Sequence, residues 1–283
     1  MNITDVDDKI ILRARQRYFL SRFKAEHAII DANVLSTTLT AFNAYIKKNL
    51  PLVPEPTTPE TFSAASIKEY QAIKDGNSLA GDGTPPGDKE AKIKMHLRTS
   101  ESAANVISQA KSNQNSVKAE TFYSATEDVL LPYLDSLYGN SIDPYNHTIF
   151  TDLTKKYEKL FFEDMRSLNV LDPNKLTRVT EFGPQIVKFV EKIVAKGFAY
   201  PTSDGSVYFD ISNFEKAGNP YARLEPWNRG DTDLQADGEG ALSKKTTEKK
   251  SDSDFALWKG SKAGEPAWKS PWGGMEFLLH LLT

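Results

Sequence analysis

With 283 residues the chain is long enough for one large domain or two modest ones, and its 39% hydrophobic and 26% charged residues are ordinary for a globular protein. A formal net charge of -3 lays no global basic field over the molecule, although a local basic patch can still meet RNA inside an acidic protein. The complete absence of cysteine removes disulfides, thiolate metal ligands and thiol nucleophiles from its chemistry.

No apolar run approaches the roughly 18–20 residues of a membrane helix. The opening Met1 to Asp8 carries Asp5, Asp7 and Asp8 where a signal peptide would be basic. The chain therefore reads as soluble and cytoplasmic, with no membrane partner. No oligomeric state is read from it.

In the first segment, Ile10, Ile11, Ala14, Tyr18, Phe19 and Phe23 recur at helical spacing, which predicts a helix starting between Asp5 and Asp8. The aspartates suit its N-terminus, where a carboxylate accepts from free backbone N–H groups and opposes the macrodipole. A metal cluster of Asp5, Asp7 and Asp8 is the weaker alternative. Nothing ahead of Met1 is expected to form a strand or a partner layer for it.

A helical pattern continues from about residue 33 to 50, until Pro51, Pro54, Pro56 and Pro59 interrupt it. A short helix is expected from Pro59 to Lys74, with Thr61 as its cap. An exposed loop follows over residues 75–87, and then helices over 89–113 and 117–139. Residues 25–147 thus read as a mostly helical insertion without internal repeats.

Beyond it, Leu153, Tyr157, Leu160, Phe161, Met165 and Leu168 line one face of a helix capped by Thr151 or Asp152. A second helix carries Phe182, Ile186, Phe189, Val190, Ile193 and Val194, and Gly197 stands where a C-terminal cap belongs. Residues 198–200 and 206–210 predict a β-hairpin turning at Asp204-Gly205. Residues 218–253 read as a long loop. Its pairs Lys244-Lys245 and Lys249-Lys250 form a solvated charge run, with a phosphate-backbone contact as the alternative. Asp254 to Lys259 predicts a strand. Trp258, Trp268 and Trp272 are expected to pack rather than to stack on nucleotide. His27, His96, His147 and His280 show no ligand spacing and read as structural or surface residues.

Three stretches together resemble the cysteinyl-tRNA synthetases, class I ligases that charge tRNA with cysteine. Asn2-Ile3-Thr4-Asp5-Val6-Asp7-Asp8-Lys9-Ile10 is similar to that family's N-I-T-D-x-D-D-K-I segment. Arg178-Val179-Thr180-Glu181, Pro184 to Val187, Gly197-Phe198-Ala199-Tyr200 and Gly205 to Asp210 form the second match. Asp254 to Lys259, Gly264-Glu265-Pro266-Ala267-Trp268 and Ser270-Pro271-Trp272-Gly273 form the third. The resemblance covers about residues 1–24 and 148–273. The helical stretch between them lies where eukaryotic cytosolic members carry an insertion. Gly183 replaces an apolar residue of the family pattern and weakens a helical turn there.

The resemblance implies an α/β fold: an incomplete Rossmann-like class I catalytic domain, largely helical in this fragment, with a helical insertion and a small β-hairpin. Its expected organisation is 1–24 as the end of the first catalytic half, 25–147 as the insertion, 148–273 as the connective region, and 274–283 as an unrelated tail. Such a tail would arise from a frame change, a retained intron, a misplaced gene boundary or a short isoform.

The resemblance also implies ATP-dependent activation of cysteine and its transfer to tRNA, with cysteine, ATP and tRNA as partners and magnesium accompanying ATP. Family members select cysteine through a zinc ion that binds the substrate thiolate. The cysteine ligands of that zinc are absent here, and the family's H-I-G-H, G-W-H-I-E-C-S and K-M-S-K-S motifs are missing. No metal site and no catalytic residue are assigned, and the chain alone is expected to be inactive. Thr4, matching a family threonine near the substrate, is the expected substrate-binding residue, although a threonine before an Asp-rich helix start is also a natural cap. The alternative function is a non-catalytic interaction module that binds a protein partner or RNA.

Overall fold

A computed structural model of the chain describes residues 1–79, 87–113, 116–224, 226–228, 248–272 and 276–278. Lys244, Lys245, His280, most of the 218–253 loop and the tail apart from Glu276–Leu278 lie outside the described residues. The chain divides into two compact units, one of Met1–Arg15 with Gly139–Thr283 and one of Gln16–Tyr138. Helix α1 (Asp8–Glu26) begins in the former and ends in the latter.

The Gln16–Tyr138 unit adds four helices: α2 (Ala32–Asn49), α3 (Pro59–Lys74), α4 (Asp88–Ser112) and α5 (Ala119–Tyr138). Asp31 starts α2 by accepting the Val34 N–H at 2.8 Å. Val34, Thr38, Ala41, Phe42 and Tyr45 then share one buried face, as helical spacing requires. At α3 the cap is Thr58, not Thr61. Thr61 sits three residues on and receives the Thr58 N–H at 3.0 Å, a reciprocal arrangement that the Thr-x-x-Thr spacing permits.

Phe42 and Phe62 meet edge to face at 5.7 Å, and the Tyr70 hydroxyl accepts the Leu52 N–H at 3.2 Å. Lys111–Glu60 and Lys74–Glu101, each at 2.8 Å, tie α3 to α4. Lys111 is the main reason Glu60 is held down to about 2. Both side chains of that pair are more than two-fifths exposed, so it is worth less than about 1 kcal/mol.

His96 on α4 shares a 2.7 Å hydrogen bond with the Tyr45 hydroxyl of α2, and burial lowers its pKa. A histidine that folding depresses contributes stability above its unfolded pKa and loses it as pH falls through that value. Between about pH 7 and about pH 5 the wild-type chain should therefore lose stability that a His96→Phe variant keeps. Denaturant midpoints of both proteins at the two pH values check this. Equal losses would show that His96 does not carry the effect.

The other unit opens with β1 (Asn2–Ile3), paired in parallel with β2 (Thr177–Arg178) in the register Asn2 to Thr177 and Ile3 to Arg178. This pairing had no sequence signal, because the partner lies about 175 residues away in a run too short to show alternation. Helix α6 (Thr148–Ser167) starts at Thr148, ahead of the expected Thr151 or Asp152. His147 precedes it, and its ring is held 3.0 Å from the Ala267 carbonyl and 4.8 Å from the Trp268 ring, so the chain is turned early.

A 3₁₀ turn at Val179–Phe182 leads into α7 (Gly183–Ala195). Gly183 is the first residue of that helix, where a glycine weakens little. Antiparallel β3 (Ala199–Pro201), β4 (Val207–Phe209), β5 (Phe255–Gly260) and β6 (Glu276–Leu278) form a sheet in that order, with Trp258 fully buried. Between β4 and β5 lies the short α8 (Ile211–Lys216), capped by Asp210. The strand β6 had no sequence signal.

Lys249 and Lys250 lie beside this sheet. Lys249 Nζ donates to the Asp252 carbonyl at 3.0 Å. Lys250 lies 4.3 Å above the Tyr200 ring and 3.2 Å from Asp210. Lys250 thus also fastens the returning chain to the hairpin, while its side chain stays 60% exposed as a solvated charge run requires.

Candidate functional site

The sequence Thr4-Asp5-Val6-Asp7-Asp8 joins β1 to α1, and each of its aspartates has a different task. Asp7 is the cap: its Oδ1 accepts the Ile10 N–H at 2.6 Å, and its carbonyl accepts the Ile11 N–H at 2.9 Å. Asp5 is buried and accepts both the backbone N–H of Thr180, at 3.1 Å, and the Thr180 hydroxyl, at 2.5 Å. Asp8 is buried beside Lys259 of β5, with 3.3 Å between Nζ and Oδ2. The three carboxylates point to three separate partners, so the metal-cluster reading of them is corrected. Of the N-terminal duties expected of the three, Asp7 carries the cap and Asp8 the first-turn charge that opposes the helix dipole, while Asp5 serves Thr180 instead.

Asp8 and Lys259 bring the first helix and the last long strand side by side. Around them, Arg15 Nη1 reaches the Gly264 carbonyl at 3.4 Å, and the Glu265 carboxylate accepts the Lys262 N–H at 3.0 Å. Burial pushes the Glu265 carboxyl up, against the opposing pull of Lys262. These residues form a polar joint between segments about 250 residues apart.

At the other side of the ladder, Arg178 grips Glu158 of α6 through two parallel bonds, Nε to Oε2 at 2.8 Å and Nη2 to Oε1 at 2.6 Å. Its Nη1 also donates to Glu181 at 2.8 Å. The pairing raises the guanidinium pKa and holds Glu158 below the usual carboxylate range. Sequence reasoning assigned no role to Lys259, Thr180 or Glu158. The only local signal was the three-residue spacing of Arg178 and Glu181.

Thr4 follows β1 directly and is exposed. Among the described residues its hydroxyl makes no hydrogen bond, so it is not the cap of α1. It lines an apolar groove of about 520 Å³, between the first 13 residues and Leu153, Tyr157 and Phe161 of α6. A second groove of about 520 Å³ runs along β2 and α7, lined by Arg178, Phe182, Ile186 and Phe189. Because β1 and β2 are parallel, Thr4 and Val179 lie at the same, carboxyl, end of the ladder, and the Asp5–Thr180 bonds tie that end together. In open α/β sheets this is the end at which ligands bind.

The residues present do not fit the family's zinc. The sequence has no cysteine, and among the described residues no group of three or more His, Asp or Glu side chains could hold a metal ion. Among the same residues no helix is long and apolar enough to cross a membrane.

The family described as the class I (C) tRNA synthetase catalytic domain matches residues 1–276, so the match runs through the helical unit as well as the two flanking stretches. The chain is 36% identical over 281 residues to the cytoplasmic cysteine–tRNA ligase of Drosophila melanogaster. It is 37% identical over 277 residues to that of Mus musculus and 37% over 278 residues to that of Homo sapiens. Each match covers 96% of this chain but only 33%, 30% and 33% of the respective relative. The chain thus spans about a third of the length of the curated relatives it matches. With the parallel ladder, the helical unit and the family match in agreement, the chain belongs to the class I (C) tRNA synthetase catalytic-domain family.

Proposed function

We propose that this chain is a portion of an ATP-dependent cysteine–tRNA ligase of the cytosol, with cysteine, ATP and tRNA as the substrates of the whole enzyme. The single observation that carries the reading is the position of Thr4, exposed and unpartnered among the described residues at the carboxyl end of a parallel ladder. There its hydroxyl is placed to donate to or accept from the amino-acid substrate, while Asp5, Asp7 and Asp8 fix the elbow on which it stands. The Arg178–Glu158 fork holds α6, the far wall of the groove, in register with β2. Such preorganisation fixes where a reactant sits before any chemistry starts. ATP brings magnesium as its counter-ion, but no step is assigned to either through these residues. The chain alone is inactive in this reading, since its side chains supply no zinc ligand set.

A chimaera tests the proposal. Residues 1–276 would replace the matching stretch of the Drosophila enzyme, and cysteine-dependent ATP–pyrophosphate exchange would be measured. The chimaera should exchange and the isolated chain should not. Thr4→Val in the chimaera should raise KM for cysteine about tenfold, the loss of one hydrogen bond worth about 1.4 kcal/mol. A folded chimaera without exchange, exchange by the isolated chain, or an unchanged KM would each count against the corresponding part of the reading.

A further inference from the structure

We infer that Thr180 is a positioning residue for Thr4, acting through Asp5. It fixes where the elbow between β1 and α1 stands, and so where Thr4 sits in its groove. The ladder itself does not reach that far. Its registered pairs are Asn2 with Thr177 and Ile3 with Arg178, so Thr4 lies just beyond the last of them. The cap made by Asp7 starts the helix but ties the elbow to nothing outside it. The Asp5 carboxylate makes that connection. Its Oδ1 accepts the Thr180 N–H at 3.1 Å and its Oδ2 accepts the Thr180 hydroxyl at 2.5 Å, across 175 residues of sequence.

The chemistry suits a clamp. Asp5 is only 7% exposed, and a buried carboxylate costs stability unless donors reach it. Both donors found among the described residues belong to Thr180. Two bonds from one residue to the two oxygens of one carboxylate set its direction as well as its distance, and such bonds are shorter and stronger than those between neutral groups. Any residue at position 180 would offer the backbone N–H; only a hydroxyl side chain adds the second bond.

Thr180 is itself firmly placed. Val179 before it is buried, and Glu181 after it turns back to Arg178, accepting its N–H at 3.4 Å and its Nη1 at 2.8 Å. The same Arg178 grips Glu158 of α6. One short stretch thus sets both sides of the groove, Arg178 the helical wall and Thr180 the elbow that carries Thr4.

Two measurements test this, and the first needs no ligase activity. It compares the full chain with Thr180→Val, which keeps the shape and the backbone bond but loses the hydroxyl. The backbone amide order parameters of Thr4 and Asp5 should fall from about 0.85 to below about 0.6, while those of α7 and the β3–β6 sheet stay as in the wild type. Thr180→Ser should restore the high values. Thr180→Ala replaces Thr180→Val in the comparison if the valine variant does not fold. Unchanged values at Thr4 and Asp5, or a loss shared equally by α7 and the sheet, would overturn the proposal.

The second measurement rests on the reading of Thr4 as the residue that meets cysteine, and it uses the chimaera. There Thr180→Val should raise KM for cysteine about fivefold and change kcat less than about twofold. A merely structural defect would lower the active fraction, and with it kcat, without moving KM. In a Thr4→Val background the same change should add less than about twofold, because the contact it positions is already gone. Independent effects that multiply would overturn the action of Thr180 through Thr4. A wild-type chimaera that exchanges nothing counts against the ligase reading alone, and the order parameters then decide the positioning role by themselves.

Discussion

Lys259→Met is expected to destabilise the chain by about 3 kcal/mol, because it leaves the buried Asp8 carboxylate without the ammonium beside it. Both side chains are largely removed from water, at 13% and 7% exposure, so solvent replaces little of what is lost. Asp8→Asn should cost a comparable amount. Part of that cost belongs to the first turn of α1, where a carboxylate opposes the helix dipole. The double variant separates the terms: its cost should fall short of the summed single costs by at least about 1 kcal/mol. Urea unfolding of the four proteins measures this. Strictly additive costs would mean that the two ends of the chain are not joined energetically at this point.

The second large effect is expected at Gly264. Its φ is +82°, and a Cβ added there would stand 1.9 Å from the carbonyl oxygen of Gly139, a backbone atom that cannot turn aside. Gly264→Ala therefore meets a steric and a conformational penalty together, about 3 kcal/mol or more. Gly218 has nearly the same φ, +85°, but nothing within 4 Å of the added atom. Gly218→Ala should cost only about 1 kcal/mol. Unfolding midpoints of the two variants separate clash from backbone preference, and matching midpoints would remove the close approach to Gly139 from the account.

Features encoded within one turn or one helix face were legible in the sequence. The Asp204-Gly205 turn specifies its own hairpin, and Gly205 takes the φ of +83° that such a turn requires. The helix from Pro59 to Lys74 begins and ends as the proline and the apolar spacing predict. The roles of Asp5 and Asp8 were not legible, because a carboxylate near a helix start looks the same whether it caps the helix or reaches a distant partner. Thr180 and Lys259 are set by the fold, not by the local pattern. The pairing of β1 with β2 was hidden for the same reason: two residues per strand hold no alternation to read. At the candidate site, sequence motifs singled out Thr4, but the parallel register of the ladder gives it an address at one end of a sheet.

The route of the chain has a consequence for its synthesis. The helices from α2 to α5 emerge from the ribosome together, and they hold a core that includes Phe42, Phe62, Phe122 and Leu130. Val6, Ile11 and Ala14 in the first segment are buried in the finished protein, and Asp8 must wait for Lys259, 251 residues later. At about 5–20 residues per second this delay lasts roughly 12–50 s. During that time the start of α1 is tethered to a helical body that can already be complete, while its own partners have yet to be translated.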